Sequence, residues 1–189
     1  MPETDAGRSL RIMVIIGSNL PNSRTRAAAR FAAGCIVDAG HQAYALDPQR
    51  QELPIADPVY HENPLKNPDK RARTLVMAAR RADGFLLASP LYHNSFSGVI
   101  KNALDHLTID EFCHKPVGLI VHGSNLTAVQ ACDQLRIVTR GLYGIAVPEQ
   151  AVTVPSDFTL VDGTWQLTDL EKQERIKSVV ASVLKFARR

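Results

Sequence analysis

The chain has 189 residues, 45% of them hydrophobic and 22% charged, the balance of a globular protein with enough length to bury one sizeable core. Its 22 basic and 19 acidic side chains leave a formal net charge of +3, too small an excess to argue for nucleic acid. No apolar run reaches the roughly 18 residues of a membrane span, and Cys35, Cys113 and Cys132 fall in no zinc or disulfide spacing, so free thiols, no metal site and a cytoplasmic location are expected.

Residues 1–9 are polar, hold no apolar signal core and read as a flexible tail on a single domain. Leu10 to Ile16, LRIMVII, is a short apolar run rich in β-branched side chains and reads as a buried strand. It breaks at Gly17 into GSNLPNSRT. Ser23 to Ala39, rich in Ala and Arg, reads as a helix that Gly40 stops. His41 to Leu46 alternates and is a second strand. Pro48 to Pro68 carries five prolines and no period, and a connection of that length is commonly functional. Asp69 to Ala82 is a basic amphipathic helix.

Gly84 to Ala88 is a third strand, closed by Ser89-Pro90. Ser97 to Leu107 is helical, with Val99, Ile100, Ala103, Leu104 and Leu107 on one face. Pro116 to His122 is a fourth strand, followed by GSNL, the same four letters that follow the first strand. Thr127 to Arg140 is a helix ended by Gly141. Gly144 to Val154 holds a fifth strand. Thr168 to Ala187 is a final amphipathic helix, with Thr168 and Glu171 as its capping box.

Strands alternating five times with helices imply an α/β fold: a doubly wound five-stranded parallel sheet, order 2-1-3-4-5, with helices on both faces. Ligands of such sheets bind at the carboxyl ends of the strands, beside the switch between strands 1 and 3. That places three turns on one rim. The first, Gly17 to Thr25, opens a helix, whose free amides and dipole attract an anion. Ser18, Ser23 and Thr25 add hydroxyls and Arg24 a guanidinium, which makes the turn a phosphate cradle. GxGxxG and GxxxxGK[ST] are both absent. The second turn, SPLYHNSFSGVIKNALD from Ser89 to Asp105, brings Tyr92, His93 and Phe96 to the rim with Asn94, Ser95 and Ser97. Its amides and rings suit a planar heterocycle, with Phe96 packing the loop down. The third, His122 to Leu126, adds Gly123, Ser124 and Asn125, of which Ser124 or Asn125 is also a helix cap. No paired carboxylate or Asp–His couple accompanies the lone loop histidine His93, so no side chain is assigned as catalytic.

Together the turns resemble the NADPH-dependent FMN reductase family, of flavodoxin-like fold. The GS turn followed by SRT is similar to its phosphate loop, and Ser89 to Asp105 is similar to its most specific stretch, S/T-P-x-Y-x-x-S-x-x-G-x-x-K-N-x-x-D. The resemblance covers residues 10 to 155. It implies that Ser18, Ser23, Arg24 and Thr25 bind the FMN phosphate. It implies that Pro90, Leu91, Tyr92, His93 and Asn94 run along the isoalloxazine with Ser95 nearby, and that Gly123 and Ser124 meet its pyrimidine side. Lys101 and Asp105 are read as fixing loop to helix. The implied activity is an FMN oxidoreductase taking hydride from NADPH or NADH and passing electrons to a small-molecule acceptor: a flavin, quinone, azo compound or metal oxyanion. Two alternatives stand beside it. One is an FMN-dependent dehydrogenase of a small carboxylated ring, with Arg50, Lys66 or Arg140 over the flavin; the other is a non-enzymatic flavodoxin carrier. The resemblance also implies a homodimer or homotetramer, with Pro48 to Pro68 reaching a neighbour through Tyr60 and His61.

Overall fold

The side-chain alternation of the first strand dictates the layers of the computed structural model, which describes residues 7–188. Every residue of β1 (Arg11–Ile16) after Arg11 is buried. Ile12, Val14 and Ile16 enter one half of the core, and Met13 and Ile15 the other. A strand buried on both faces needs helices on both, which right-handed crossovers between parallel strands supply. The other strands of this sheet are β2 (Gln42–Leu46), β3 (Gly84–Tyr92), the two-residue β4 (Ser95–Phe96), β5 (Pro116–His122) and β6 (Ile145–Thr153). The parallel strands lie in the order β2-β1-β3-β5-β6, which is the expected 2-1-3-4-5 once the short β4 is set aside.

Helices α1 (Arg24–Asp38) and α6 (Leu170–Ala187) cover the face carrying Ile12, Val14 and Leu86. The opposite face, with Phe85, Leu87 and Leu119, is covered by α2 (Lys70–Arg81), α3 (Gly98–Asp105), the single turn α4 (Ile109–Phe112) and α5 (Val129–Gly141). No helix among the described residues is long and apolar enough to cross a membrane. Residues 1–6, most of the tail expected over 1–9, lie outside the described residues. Arg8 and Ser9 of that stretch are bonded, to Asp83 and to the Gly40 carbonyl.

The structure departs from the sequence reading in four places. First, β3 does not stop at Ala88. Ser89 and Pro90 stay paired with Val121 and His122 of β5. The Ala88 carbonyl accepts from Gly17 on the β1 side. Pro90, two residues on, faces that same side after β1 has ended, so its missing N–H removes no ladder bond. Second, residues 158–167, unassigned from sequence, form an antiparallel hairpin, β7 (Phe158–Val161) and β8 (Thr164–Leu167). Third, the capping box at Thr168 and Glu171 is not formed. Asp169 is the cap, its carboxylate accepting from the Lys172 amide at 2.9 Å, while the Thr168 hydroxyl pairs with that of Thr159. Fourth, Lys101 and Asp105 fix no loop: they form an exposed pair with each other along α3, at 2.6 Å. Asn102 between them does the fixing. Its side chain donates to the Pro54 carbonyl and accepts from the Ala56 amide, both at 2.9 Å, which docks the proline-rich connection onto α3.

Candidate functional site

The carboxyl ends of β1, β3 and β5 bring the three turns together, and the first is held by contacts only a glycine permits. The Gly17 amide donates to the Ala88 carbonyl at 2.7 Å, and its own carbonyl accepts from the Ser97 hydroxyl at 2.6 Å. A Cβ there would sit 2.9 Å from Ser97 Oγ and 3.0 Å from Ala88 O and Ile100 Cβ. Ser97 in turn caps α3, and its amide donates to Ser89 Oγ, so the first and second turns share one buried network.

Arg26 is the strut beneath the first turn. It is 1% exposed. Its guanidinium pairs with Asp47 at 2.7 and 3.1 Å and donates to the carbonyls of Ser18, Leu20 and Pro21. Burial alone would raise the Asp47 pKa, but the Arg26 bonds, the Gln49 amide and the charges of Arg26 and Arg30 outweigh it and hold the carboxyl below its ordinary value. Arg26 thus takes up the carbonyls of three residues of the turn. Ser23 caps α1 by accepting from the Arg26 amide, which leaves its O–H as a donor.

Ser18, Ser23, Arg24 and Thr25 of the first turn line one cleft with Pro90, Leu91 and Tyr92 of the second and Gly123 and Ser124 of the third. Its volume is about 320 Å³. Gly123 is a second site of close approach, since a Cβ would lie 2.7 Å from that of Ala128. A larger groove of about 720 Å³ beside Pro48–Glu52 and Lys70–Thr74 shares only Asn19 with the first turn and has none of its hydroxyls. His93, Asn94 and Ser95 are not brought into the cleft. His93 and Asn94 adopt φ of 49° and 61°, the two left-handed positions of a tight hairpin turn between β3 and β4. The Asn94 carbonyl and the Ser95 hydroxyl bond instead to Gln134 of α5. Asn125 caps the short turn ahead of α5, accepting from the Thr127 amide at 2.9 Å.

Two cleft residues lie outside the three turns read from the sequence, Pro155 and Trp165, and His122 lines the cleft at the start of the third turn. Trp165 arrives on β8 and packs against Arg24, with the guanidinium carbon 3.7 Å from the ring centre. The Asp162-Gly163 pair between two runs of β-formers was the signal that could have found this hairpin. Arg24 Nε is buried with no hydrogen-bond partner among the described residues. A buried guanidinium N–H is costly to leave unpaired, so the site is poised for an anion. His122 bonds Thr153 Oγ1 at 3.2 Å and meets the Phe158 ring edge-on. Burial, then the Arg24 charge, hold its imidazole down to about 4, so it is neutral at physiological pH.

Residues 10–159 match the model of the NADPH-dependent FMN reductase family. A Staphylococcus saprophyticus protein named FMN-dependent NADPH-azoreductase is 37% identical over 177 residues, covering 93% of this chain and 94% of its own. A Staphylococcus aureus protein of the same name is 36% identical over 175 residues, covering 92% and 93%. Among solved structures, the flavoenzyme NAD(P)H:(acceptor) oxidoreductase FerB from Paracoccus denitrificans superposes with a TM-score of 0.74 at 18% identity, over 94% of this chain and 98% of its own. The apo form of the NADH:FMN oxidoreductase EmoB superposes with a TM-score of 0.71 at 22% identity, over 95% and 89%. At those identities the two structures speak for the fold alone.

Proposed function

The chain belongs to the NADPH-dependent FMN reductase family, and from that premise we propose that the cleft is its FMN site, with the phosphate in the first turn and the ring along Pro90–Tyr92 and Gly123–Ser124. The protein is an FMN-dependent NAD(P)H oxidoreductase. The observation that carries the placement is the unpartnered, buried Nε of Arg24 beside the hydroxyls of Ser18, Ser23 and Thr25. That donor set suits a dianionic phosphate, which takes several charge-assisted hydrogen bonds at once.

FMN, when bound, supplies the hydride and electron chemistry. The chain's own residues bind, orient and exclude water. Arg26 and Asp47 preset the first turn, so little ordering remains to be done on binding. Tyr92 and Leu91 offer an apolar flank to a ring, and Gly123 lets the backbone come close. The titratable side chains lining the cleft are Arg24, Tyr92 and His122. His122 is held neutral, first by burial and then by the Arg24 charge, and bonds Thr153 Oγ1. Arg50, Lys66 and Arg140, the basic residues a carboxylate-oxidising enzyme would place over the ring, do not line the cleft. The acceptor class is taken from the relatives' names: an azo compound, reduced at the expense of NADPH. A homodimer completes the reading, supported by Ile55 and Val59, which are 84% and 76% exposed on the proline-rich connection.

Two measurements test it. Anaerobic NADPH should bleach the FMN-loaded protein, and an azo dye should restore the colour. Stripped protein should bind FMN more tightly than riboflavin by about two to four orders of magnitude, and Arg24→Ala should weaken FMN far more than riboflavin. Equal affinities for FMN and riboflavin would remove the phosphate assignment of the first turn.

A further inference from the structure

We infer that Trp165 determines specificity at the phosphate end of the cleft: it is the wall that admits a terminal phosphate monoester and refuses a phosphate carrying a further nucleoside. The inference rests on the FMN placement proposed above. Trp165 is positioned from two sides. Phe158 and Leu167, at the base of the hairpin, are buried in the core. Near its tip, Asn22 of the first turn donates to the Gly163 carbonyl at 2.6 Å and accepts from the Trp165 amide at 3.1 Å. The hairpin is thus buttoned onto the turn it covers, and Trp165 shares the cleft with Ser18, Ser23, Arg24 and Thr25.

The stacking geometry explains how one residue can both help the phosphate and close the site. The indole lies over the Arg24 guanidinium carbon at 3.7 Å and so limits where that side chain can go. Its Nε is buried and unpartnered among the described residues, so a phosphate at this end would supply the acceptor it lacks. The indole and Pro155 line the same cleft as the first turn, and on this inference they stand beyond the phosphate. A monoester ends there. The pyrophosphate of FAD carries adenosine onward and needs the hairpin to leave Asn22, which breaks two hydrogen bonds and the cation–π stack.

The test is titration of stripped protein with FMN, FAD and riboflavin, read by flavin fluorescence, for wild type, Trp165→Ala, Trp165→Phe and Asn22→Ala. In Trp165→Ala the preference for FMN over FAD should fall at least about tenfold, with FAD itself binding more tightly and riboflavin changing less than about twofold. Trp165→Phe keeps a ring over Arg24 and should keep most of the preference. Asn22→Ala leaves the core untouched and should shift in the same direction as Trp165→Ala, so the inference stands on a folded variant. An unchanged FMN-to-FAD ratio in Trp165→Ala and Asn22→Ala, or a ratio that falls only because FMN weakens, overturns it. A wild type indifferent to the phosphate of FMN overturns the site placement instead, and the FMN-to-riboflavin ratio separates the two failures.

Discussion

Arg24 and Arg26 differ in nothing but their place on one helical turn, and they take opposite parts. Arg26 points inward and spends its donors on Asp47 and three carbonyls; Arg24 points into the cleft with Nε unspent. Only the fold separates them, which is why the reading of Gly17 to Thr25 as a phosphate turn names Arg24 and stops short of the residue that shapes it. His122 shows the same dependence on surroundings. Its pKa is lowered from 6.5 to about 4, first by burial and then by Arg24. An unfolded chain takes up a proton near 6.5 and the folded one does not until about 4, so between those values the unfolded state binds more protons and stability falls with falling pH. The stabilisation is complete above pH 6.5 and is progressively lost below it. His122→Gln should therefore lose less melting temperature than wild type as the pH drops from 6.5 to about 4. Parallel losses in the two proteins would show that this imidazole does not carry the effect.

At the scale of elements, β2 was legible from its alternation, and β1, β3 and β5 from apolar runs bounded by Gly, Ser-Pro or a polar turn. The hairpin was not. Its strands are four residues long and mostly exposed, so they lack the apolar contrast that periodicity needs, and only Asp162-Gly163 marks it. The single turn α4 is equally short, and Pro90 masks the continuation of β3. The rim turns were legible because strand ends at a switch point must meet. The departure of His93, Asn94 and Ser95 from the cleft was not, because it rests on a left-handed turn and on Gln134, far away in sequence. Two glycines give a paired prediction. Gly34 is exposed within α1, and a Cβ there meets nothing within 4 Å. Gly34→Ala should stabilise by about 1 kcal/mol, from helix propensity and a less flexible unfolded chain. Gly17→Ala should destabilise by about 1–3 kcal/mol, because its Cβ meets backbone and a buried network. Urea midpoints at unchanged slope check both, and a neutral Gly17→Ala would mean the first turn has room that the contacts deny.

At the scale of the whole molecule, exposed apolar side chains are spread over the surface, and some of them sit on the connection docked by Asn102. Ile55 and Val59 lie there, with Leu65 also exposed. Large apolar side chains this exposed on a segment held by hydrogen bonds suit a protein contact. Light scattering should give a dimer or larger particle, and the double variant Ile55→Asp, Val59→Asp should shift it toward monomer. A monomeric wild type at working concentration would rule the contact out. The chain contains one tryptophan, and it stands at the mouth of the first turn. Its ultraviolet emission is therefore a single-site signal, uncontaminated by any second indole, that reports the docking of one hairpin. If the hairpin lifts before the core melts, that emission will change at a lower denaturant concentration than the helical circular dichroism. The molecule thus carries its own optical gauge of whether the closed end of the site opens separately from the rest.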